Sequence, residues 1–446
     1  MLKAGPKGRI GIVVGGGPAP GINGVISAVT IEAINSGFEV YGFYDGFAHL
    51  SEGVRNFNNL KIESVSRIQN TGGSILRTSR VNPTKNPAHL ENVVRTLVGL
   101  NVTHLVTIGG DDTAFSASKV SEFAKEKMGL SLHVAHVPKT IDNDLPLPQG
   151  IPTFGYQTAR EIGTELIRNL MEDAKTSSRW FLAVMMGRTA GHLALGAGKS
   201  AGATITIIPE EFQEKVRINH IADILAGSII KRLSFDRRYG VAVLAEGLLE
   251  KLAAEDLEII EGIERDAHGH IRLAEVNFSD IIKKAVKRVL EEFGISLTLV
   301  DKEIGYELRC APPVAFDVEY TRNLGYAAVD FLLRGGNRAL ISIQNNKIVP
   351  IPFEKIRDPE TGRTKVRHVD TNALQYRIAR KYMIRLEPSD FADEFALERL
   401  ATAAGVLPET FRNRFQYLAD PAFAIQSRDD ESAEALYDFL DGEPLF

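Results

Sequence analysis

The sequence predicts an α/β protein built on mainly parallel sheets. Short β-branched apolar runs alternate along the chain with segments in helical spacing. Most of those runs break into loops rich in Gly, Pro, Asp or Glu. The length, 446 residues with 44% hydrophobic and 24% charged, exceeds one compact core, so two or more core units are expected.

The elements follow in order. Ile10 to Val14 is a buried-strand run that ends at Gly15-Gly16-Gly17. Ile22, Val25, Ile26, Val29 and Ala33 then keep helical spacing, with Gly37 as the stop. Phe38 to Gly46 restarts as a strand. Further strands are expected over His104 to Ile108, His133 to Val137, Trp180 to Met186, Thr204 to Ile208 and Gly240 to Ala245. Ala114 to Met128 reads as helix, and Leu248 to Ser279 as charged surface helices with a turn at Gly269. Asp280 to Phe293 and Glu319 to Leu333 are amphipathic helices. A turn at Pro359 to Gly362 leads to helical patterns that run to Phe446 and carry no functional signal.

Bulk properties exclude several classes. The net charge of −5 does not suit nucleic acid, so an anionic ligand must be met by local cations. Cys310 is the only cysteine, which excludes a disulfide framework and a cysteine metal site. No apolar run is long enough to span a bilayer, and a soluble cytoplasmic protein is expected.

In open parallel sheets ligands sit outside the C-terminal ends of strands, so the chemistry belongs in the loops. The first loop is Gly15-Gly16-Gly17-Pro18-Ala19-Pro20-Gly21 before a helix. Its glycines let backbone approach a phosphate, and they equally serve tight packing. The second is Gly109-Gly110-Asp111-Asp112-Thr113. A carboxylate beside phosphate-binding glycines makes sense if Asp111 holds Mg²⁺; the alternative is a helix N-cap. The third is Pro138-Lys139-Thr140-Ile141-Asp142-Asn143-Asp144. One aspartate suits a general base, the other a metal shell, and Lys139 suits neutralisation of a transferring phosphoryl group. An Asx-turn loop explains the Asn and Asp but not the lysine.

These loops, in this order, resemble the phosphofructokinase family. Thr71-Gly72-Gly73-Ser74 before Arg80, Met186-Gly187-Arg188, Ala245-Glu246-Gly247 and Gly305-Tyr306-Glu307-Leu308-Arg309 extend the resemblance over about Arg9 to Pro352. The resemblance implies two Rossmann-like three-layer α/β/α domains with the active site in the cleft between them. The expected divisions are 1–155 for a pyrophosphate and Mg²⁺ domain, 156–306 for a sugar-phosphate domain, 307–353 for a return segment and 354–446 for a helical extension. It further implies transfer of a phosphoryl group to the 1-hydroxyl of fructose 6-phosphate. The implied catalytic residues are Asp142 as base, Lys139, Asp112 and Thr140. Gly17, Arg80 and Lys139 would hold pyrophosphate, and Asp111 and Asp144 would hold Mg²⁺. Thr140, Asp142, Met186, Gly187, Arg188, Glu246, Tyr306 and Arg309 would hold the sugar phosphate. Arg179 would reach the neighbouring subunit's site, which implies a homo-oligomer. His192 is assigned packing or hydrogen bonding, and Glu210 is read as a structural or remnant residue.

The donor is read from Asp112. ATP-using relatives carry glycine there, which leaves room for the α-phosphate and nucleoside. An aspartate fills that space and adds negative charge, which excludes a nucleotide and costs pyrophosphate nothing. Lys139 and Tyr306 support the same donor. The alternatives are an ATP-dependent 6-phosphofructokinase, a lipid or NAD kinase sharing a GGD loop, and a non-catalytic regulatory subunit. Retention of Asp111, Asp142, Asp144, Arg188 and Arg309 favours an active chain.

Overall fold

The computed structural model describes residues 6–260, 276–360 and 364–419. The predicted turn at Gly269, the later part of the turn at Pro359 to Gly362 and the helical patterns beyond residue 419 lie outside the described residues.

Among the described residues, twelve strands form two sheets. The strands are β1 (Arg9–Val14), β2 (Glu39–Phe43), β3 (Phe57–Leu60), β4 (Val102–Gly109), β5 (His133–Thr140), β6 (Phe154–Gly155), β7 (Trp180–Met185), β8 (Ile205–Ile207), β9 (Gly240–Ala245), β10 (Leu299–Ile304), β11 (Ala339–Gln344) and β12 (Lys347–Pro352). The first sheet has eight strands in the order β12-β11-β5-β4-β1-β2-β3, with β6 paired to β5. It is parallel from β11 to β2, and β3 and β12 run antiparallel at its edges. The second sheet, β10-β7-β9-β8, is parallel throughout. Apolar clusters cover both faces of each sheet, as the continuous apolar strands require.

The predicted strands all form, with ends shifted by a few residues. The short strands β3 and β6 were not expected from the sequence, and three further features differ from it. β10 reads Leu-Val-Asp-Lys-Glu-Ile because it is an edge strand with Lys302 and Glu303 exposed. The β11–β12 hairpin turns on Asn345 and Asn346, both with positive φ (48° and 58°), a conformation Asn tolerates. The helix expected from Ala114 begins at Asp111, whose carboxylate and that of Asp112 suit the positive helix end.

The chain returns to the first sheet after the second is built. Helix Ala315–Leu333 lies along helix Ile22–Asn35, and β11 then pairs with β5. Asp317, fully buried in the first turn of that return helix, accepts from the Gly155 and Thr158 amides at 2.9 and 2.8 Å. It also accepts from the Thr158 hydroxyl at 2.6 Å. It thereby satisfies the free N–H groups at the start of helix Tyr156–Ser177, the element that joins the two sheets. Described residues after Pro352 pack on both sheets. Phe353 and Ile356 pack on the first sheet, while Phe391, Leu400, Phe411 and Phe415 complete the core under the second.

Asp317→Ala leaves these donors without a partner in the interior. It is expected to cost about 2 kcal/mol or more of stability, read as a lower denaturant midpoint.

Candidate active site

The functional loops leave the C-terminal ends of neighbouring strands. In the first sheet, β1, β4 and β5 lie side by side and emit Gly15–Gly17, Gly109–Asp112 and Thr140–Asp144. In the second, β9, β7 and β10 emit Glu246, Met186–Arg188 and Gly305–Arg309. Contacts between the two groups show that they face each other. Arg188 Nη1 donates to Asp111 Oδ1 at 3.0 Å and lies 3.9 Å from Asp144 Oδ2. Arg309 reaches Gly17, where an added Cβ would stand 1.8 Å from its Nη2.

Asp142 is buried, with its loop held by hydroxyls. Thr140 Oγ1 donates to Asp142 Oδ2 at 2.9 Å and accepts from the Asp142 amide at 3.0 Å. Thr153 Oγ1 donates to Thr140 O at 2.7 Å, and its amide donates to Asn143 Oδ1 at 3.0 Å. Asn143 sits at φ +58° between the two aspartates. Burial raises the Asp142 carboxyl above its ordinary value, against the pull of Arg188, Thr140 and Lys139. Burial together with neighbouring Asp142 and Asp111 pushes Asp144 up to about 7, which Arg188 opposes. Burial alone would raise Asp111 as well; the Arg188 guanidinium overcomes that and holds it low.

Lys139 is buried, and its ammonium donates to Gly17 O. Burial pushes it down to about 8. Beneath the second loop, buried His136 donates from Nε2 to Gly109 O at 3.0 Å and accepts at Nδ1 from the Thr107 hydroxyl at 2.9 Å. Burial lowers this ring to about 3, so it is a neutral support for the Gly109-Gly110 turn. Gly110, not Asp111, is the N-cap, which leaves the Asp111 carboxylate to Arg188. Asp112 is exposed on the first turn of the same helix. Arg80 is exposed too. Its segment is zipped to the first glycine loop by Gly16 N to Ser79 O at 2.9 Å and Thr78 Oγ1 to Gly16 O at 2.6 Å.

On the facing side, Glu246 Oε1 accepts from the Gly187 and Arg188 amides at 2.9 and 2.6 Å. These bonds hold Arg188 at φ +54°. Burial pushes Glu246 up to about 7. Met186 is bonded through its amide to Ile304 O at 2.9 Å, which ties the Met186–Arg188 loop to β10. The Arg309 guanidinium lies 5.4 Å from the centre of the Tyr306 ring. Arg179 is not brought to this site within its own chain. It precedes β7, on the order of 20 Å from the strand's opposite end, where Arg188 lies. His192 bonds Arg367 O at 3.0 Å, and Glu210 accepts from the Gly191 and Val369 amides at 2.9 and 3.0 Å.

Among the described residues no three His, Cys, Asp or Glu side chains form a ready metal cage. A phosphate-bridging Mg²⁺ needs only one or two carboxylates, the rest of its shell coming from water and phosphate. Asp111 and Asp144 fit that demand. Mutual repulsion with Asp142 keeps Asp144 hard to ionise, and a divalent cation would relieve it.

Arg367 was missed by the sequence analysis. Its guanidinium donates to carbonyls of the Asn143–Ile151 loop, and no local motif marks it.

Two glycines make opposite predictions. At Gly72 an added Cβ meets the Cys310 carbonyl oxygen at 1.9 Å, which is backbone and cannot yield cheaply. At Gly17 it meets only the mobile end of Arg309. Gly72→Ala is therefore expected to lower the thermal midpoint, whereas Gly17→Ala is expected to leave it nearly unchanged and to weaken phosphate binding, measured by calorimetry.

Comparison with known proteins agrees with this arrangement. The sequence description of the family "Phosphofructokinase" matches residues 9–332. A pyrophosphate–fructose 6-phosphate 1-phosphotransferase of Thermotoga maritima is 55% identical over 92% of this chain and 99% of its own length. A protein of the same name from Naegleria fowleri is 52% identical over 92% of this chain and 95% of its own length. Among solved structures, a pyrophosphate-dependent phosphofructokinase of Marinobacter aquaeolei superposes with a TM-score of 0.63 at 18% identity. That match covers 89% of this chain and 91% of that one, and it shows the shared fold. By sequence match, fold and the order of its loops, the chain belongs to the phosphofructokinase family.

Proposed function

We propose that the chain transfers a phosphoryl group from pyrophosphate to the 1-hydroxyl of fructose 6-phosphate, giving fructose 1,6-bisphosphate and phosphate, reversibly. The observation that carries this reading is the meeting of Asp142 with Lys139, Arg188 and Arg309 where two sets of strand-end loops face each other. The relatives that share more than half of their residues with this chain carry that activity in their names.

In the forward direction Asp142 takes the proton of the 1-hydroxyl as its oxygen attacks phosphorus, and the P–O bond to the leaving phosphate breaks. The raised pKa of Asp142 suits a base working near neutrality. The Thr140 hydroxyl is committed to Asp142 Oδ2, so its part is to orient the base. Lys139 and Arg80 bind the pyrophosphate against Gly17. Asp111 and Asp144 would hold Mg²⁺, which supplies charge neutralisation on the phosphates when bound. Met186, Gly187, Arg188, Glu246, Tyr306 and Arg309 hold the sugar phosphate. Phosphoryl transfer depends on positioning and charge, and this inventory provides both.

Asp112 sets the donor. Asp112 follows the Gly109-Gly110 turn in the first turn of its helix, and a carboxylate there in place of glycine would disfavour an α-phosphate and nucleoside. Arg179 completes the sugar-phosphate site of a neighbouring subunit in a homo-oligomer; its position remote from its own chain's site is the support. The reaction is cytoplasmic, which suits a chain with one cysteine. No described helix is long and apolar enough to cross a membrane.

The test is turnover of fructose 6-phosphate with Mg²⁺ and either donor. Pyrophosphate is expected to support turnover and ATP is not; activity with ATP alone would sink the donor assignment. Asp112→Gly is expected to admit ATP. Asp142→Ala is expected to lower kcat by about 10²–10⁴-fold without unfolding the chain.

Lys139 also predicts a pH limb. Its folded pKa is depressed, so the ammonium is lost as pH rises through about 8. kcat/KM for pyrophosphate should fall above that pH, and Lys139→Met should lack the limb. A limb that persists in the variant belongs to another group.

A further inference from the structure

The segment 364–370 is bonded to the loops of both sheets. Thr364 Oγ1 donates to Asp111 O at 3.4 Å, and the Arg367 amide donates to Asp144 O at 2.7 Å. On the other side, Arg367 O accepts from His192, and Val369 N donates to Glu210. His192 opens the helix that follows the Met186–Arg188 loop.

The Arg367 side chain is the centre of this strap. Nε and Nη2 donate to Asn143 O at 3.1 and 2.9 Å, and Nη2 also reaches Asn143 Oδ1 at 2.5 Å. Nη1 donates to Leu147 O at 3.1 Å, Pro148 O at 3.3 Å and Ile151 O at 2.8 Å. These acceptors are all neutral carbonyls. A guanidinium spent this way gathers a loop instead of pairing a charge, because its fork presents donors in several fixed directions. The gathered loop begins between the two aspartates. Asn143 must hold φ +58° for Asp142 and Asp144 to stand as they do, and its side chain is clamped between Arg367 and the Thr153 amide. Asparagine tolerates left-handed backbone better than other non-glycine residues, and the bonds to its side chain and carbonyl fix it there.

We propose that Arg367, from the carboxyl-terminal segment, is a positioning residue for phosphoryl transfer, holding the Asp142–Asp144 turn in register with the loops of the second sheet. It rests on the transfer reaction proposed above. Arg367 acts through Asn143 and the loop backbone and makes no contact that would bind substrate through its guanidinium. Its loss therefore shows in kcat and leaves KM for both substrates nearly unchanged. Displacements of about 1 Å at a reacting group cost on the order of 10²-fold.

The test compares wild type with Arg367→Ala, Arg367→Lys and Asn143→Ala, with rates taken per folded chain. Arg367→Ala is expected to lose on the order of 10²-fold in kcat. Added guanidinium ion, at a non-denaturing concentration, should restore part of that loss where sodium at equal ionic strength does not. Arg367→Lys should lose nearly as much, since one ammonium cannot reach carbonyls on both sides of the loop. Asn143→Ala should lower kcat, and its effect should not add to that of Arg367→Ala. An unchanged kcat per folded chain, or a loss confined to KM, would overturn the proposal. If Arg367→Ala does not fold, the lysine and Asn143 variants decide it. Amide hydrogen exchange supplies a readout independent of the reaction: residues 143–151 should lose protection in Arg367→Lys while β1 and β4 keep theirs. Wild-type chain without turnover would refute the transfer reaction, and the exchange result alone would then decide whether Arg367 holds the loop. Unchanged exchange overturns the proposal in either case.

Discussion

Arg188 crosses from the loops of one sheet to the carboxylates of the other, and the site takes its form from that crossing. Its guanidinium meets Asp111 at 3.0 Å and Asp144 at 3.9 Å. For this contact to exist, β7 and β4 must present their C-terminal ends toward each other. Helix Tyr156–Ser177, capped by Asp317, leads directly from β6 into β7, and that joint governs how the two parallel sheets meet. Glu246 then fixes the backbone of Arg188 from behind by accepting its amide hydrogen. One cation thus depends on two sheets, a buried cap and a buried carboxyl.

The charges around Arg188 explain the chemistry open to the site. Burial makes Asp142 and Asp144 harder to ionise, whereas Arg188 holds the neighbouring Asp111 low. Lys139 suffers the opposite penalty and is drawn down to about 8. Carboxylates that hold their protons more tightly and an ammonium that releases its proton more easily are each shifted toward neutrality. Incoming phosphates would favour Lys139 as a cation, and Mg²⁺ would favour the metal-side carboxylates as anions. The free chain meanwhile spends its cations on itself: Lys139 on Gly17 O, Arg188 on Asp111, and Arg309 on the Tyr306 ring and Gly17. Those self-contacts are with groups that phosphate oxygens can replace.

The carboxyl-terminal segment changes how the two halves are joined. A strap from 364 to 370 bonds Asp144 and Asn143 on one side and His192 and Glu210 on the other. The helices beyond it bury Phe391, Leu400, Phe411 and Phe415 under the second sheet, which anchors the strap from its far end. Glu210 has a structural task here, and His192, its pKa lowered by burial, serves as a hydrogen-bond partner. Both agree with the roles assigned to them from the sequence.

By itself the sequence determined seven buried strands, the loops that follow them and the residue chemistry of those loops. Short β-branched apolar runs bounded by turn residues read as strands buried on both faces, and the glycines, aspartates and lysine that follow them are local in the chain. The loops were therefore legible as loops, and their order identified the family. Strand order, the facing of the two sheets, the edge strand β10 and the strap were decided by tertiary structure. An edge strand with a solvated face carries no apolar run, and an arginine bonding backbone carbonyls more than 200 positions away leaves no periodic trace. Tertiary structure also removed one of the two readings of Asp111, the helix cap. The same residue satisfies a helix-end pattern and a metal-ligand pattern in sequence; Gly110 takes the cap position, and Arg188, distant in the chain, meets the carboxylate.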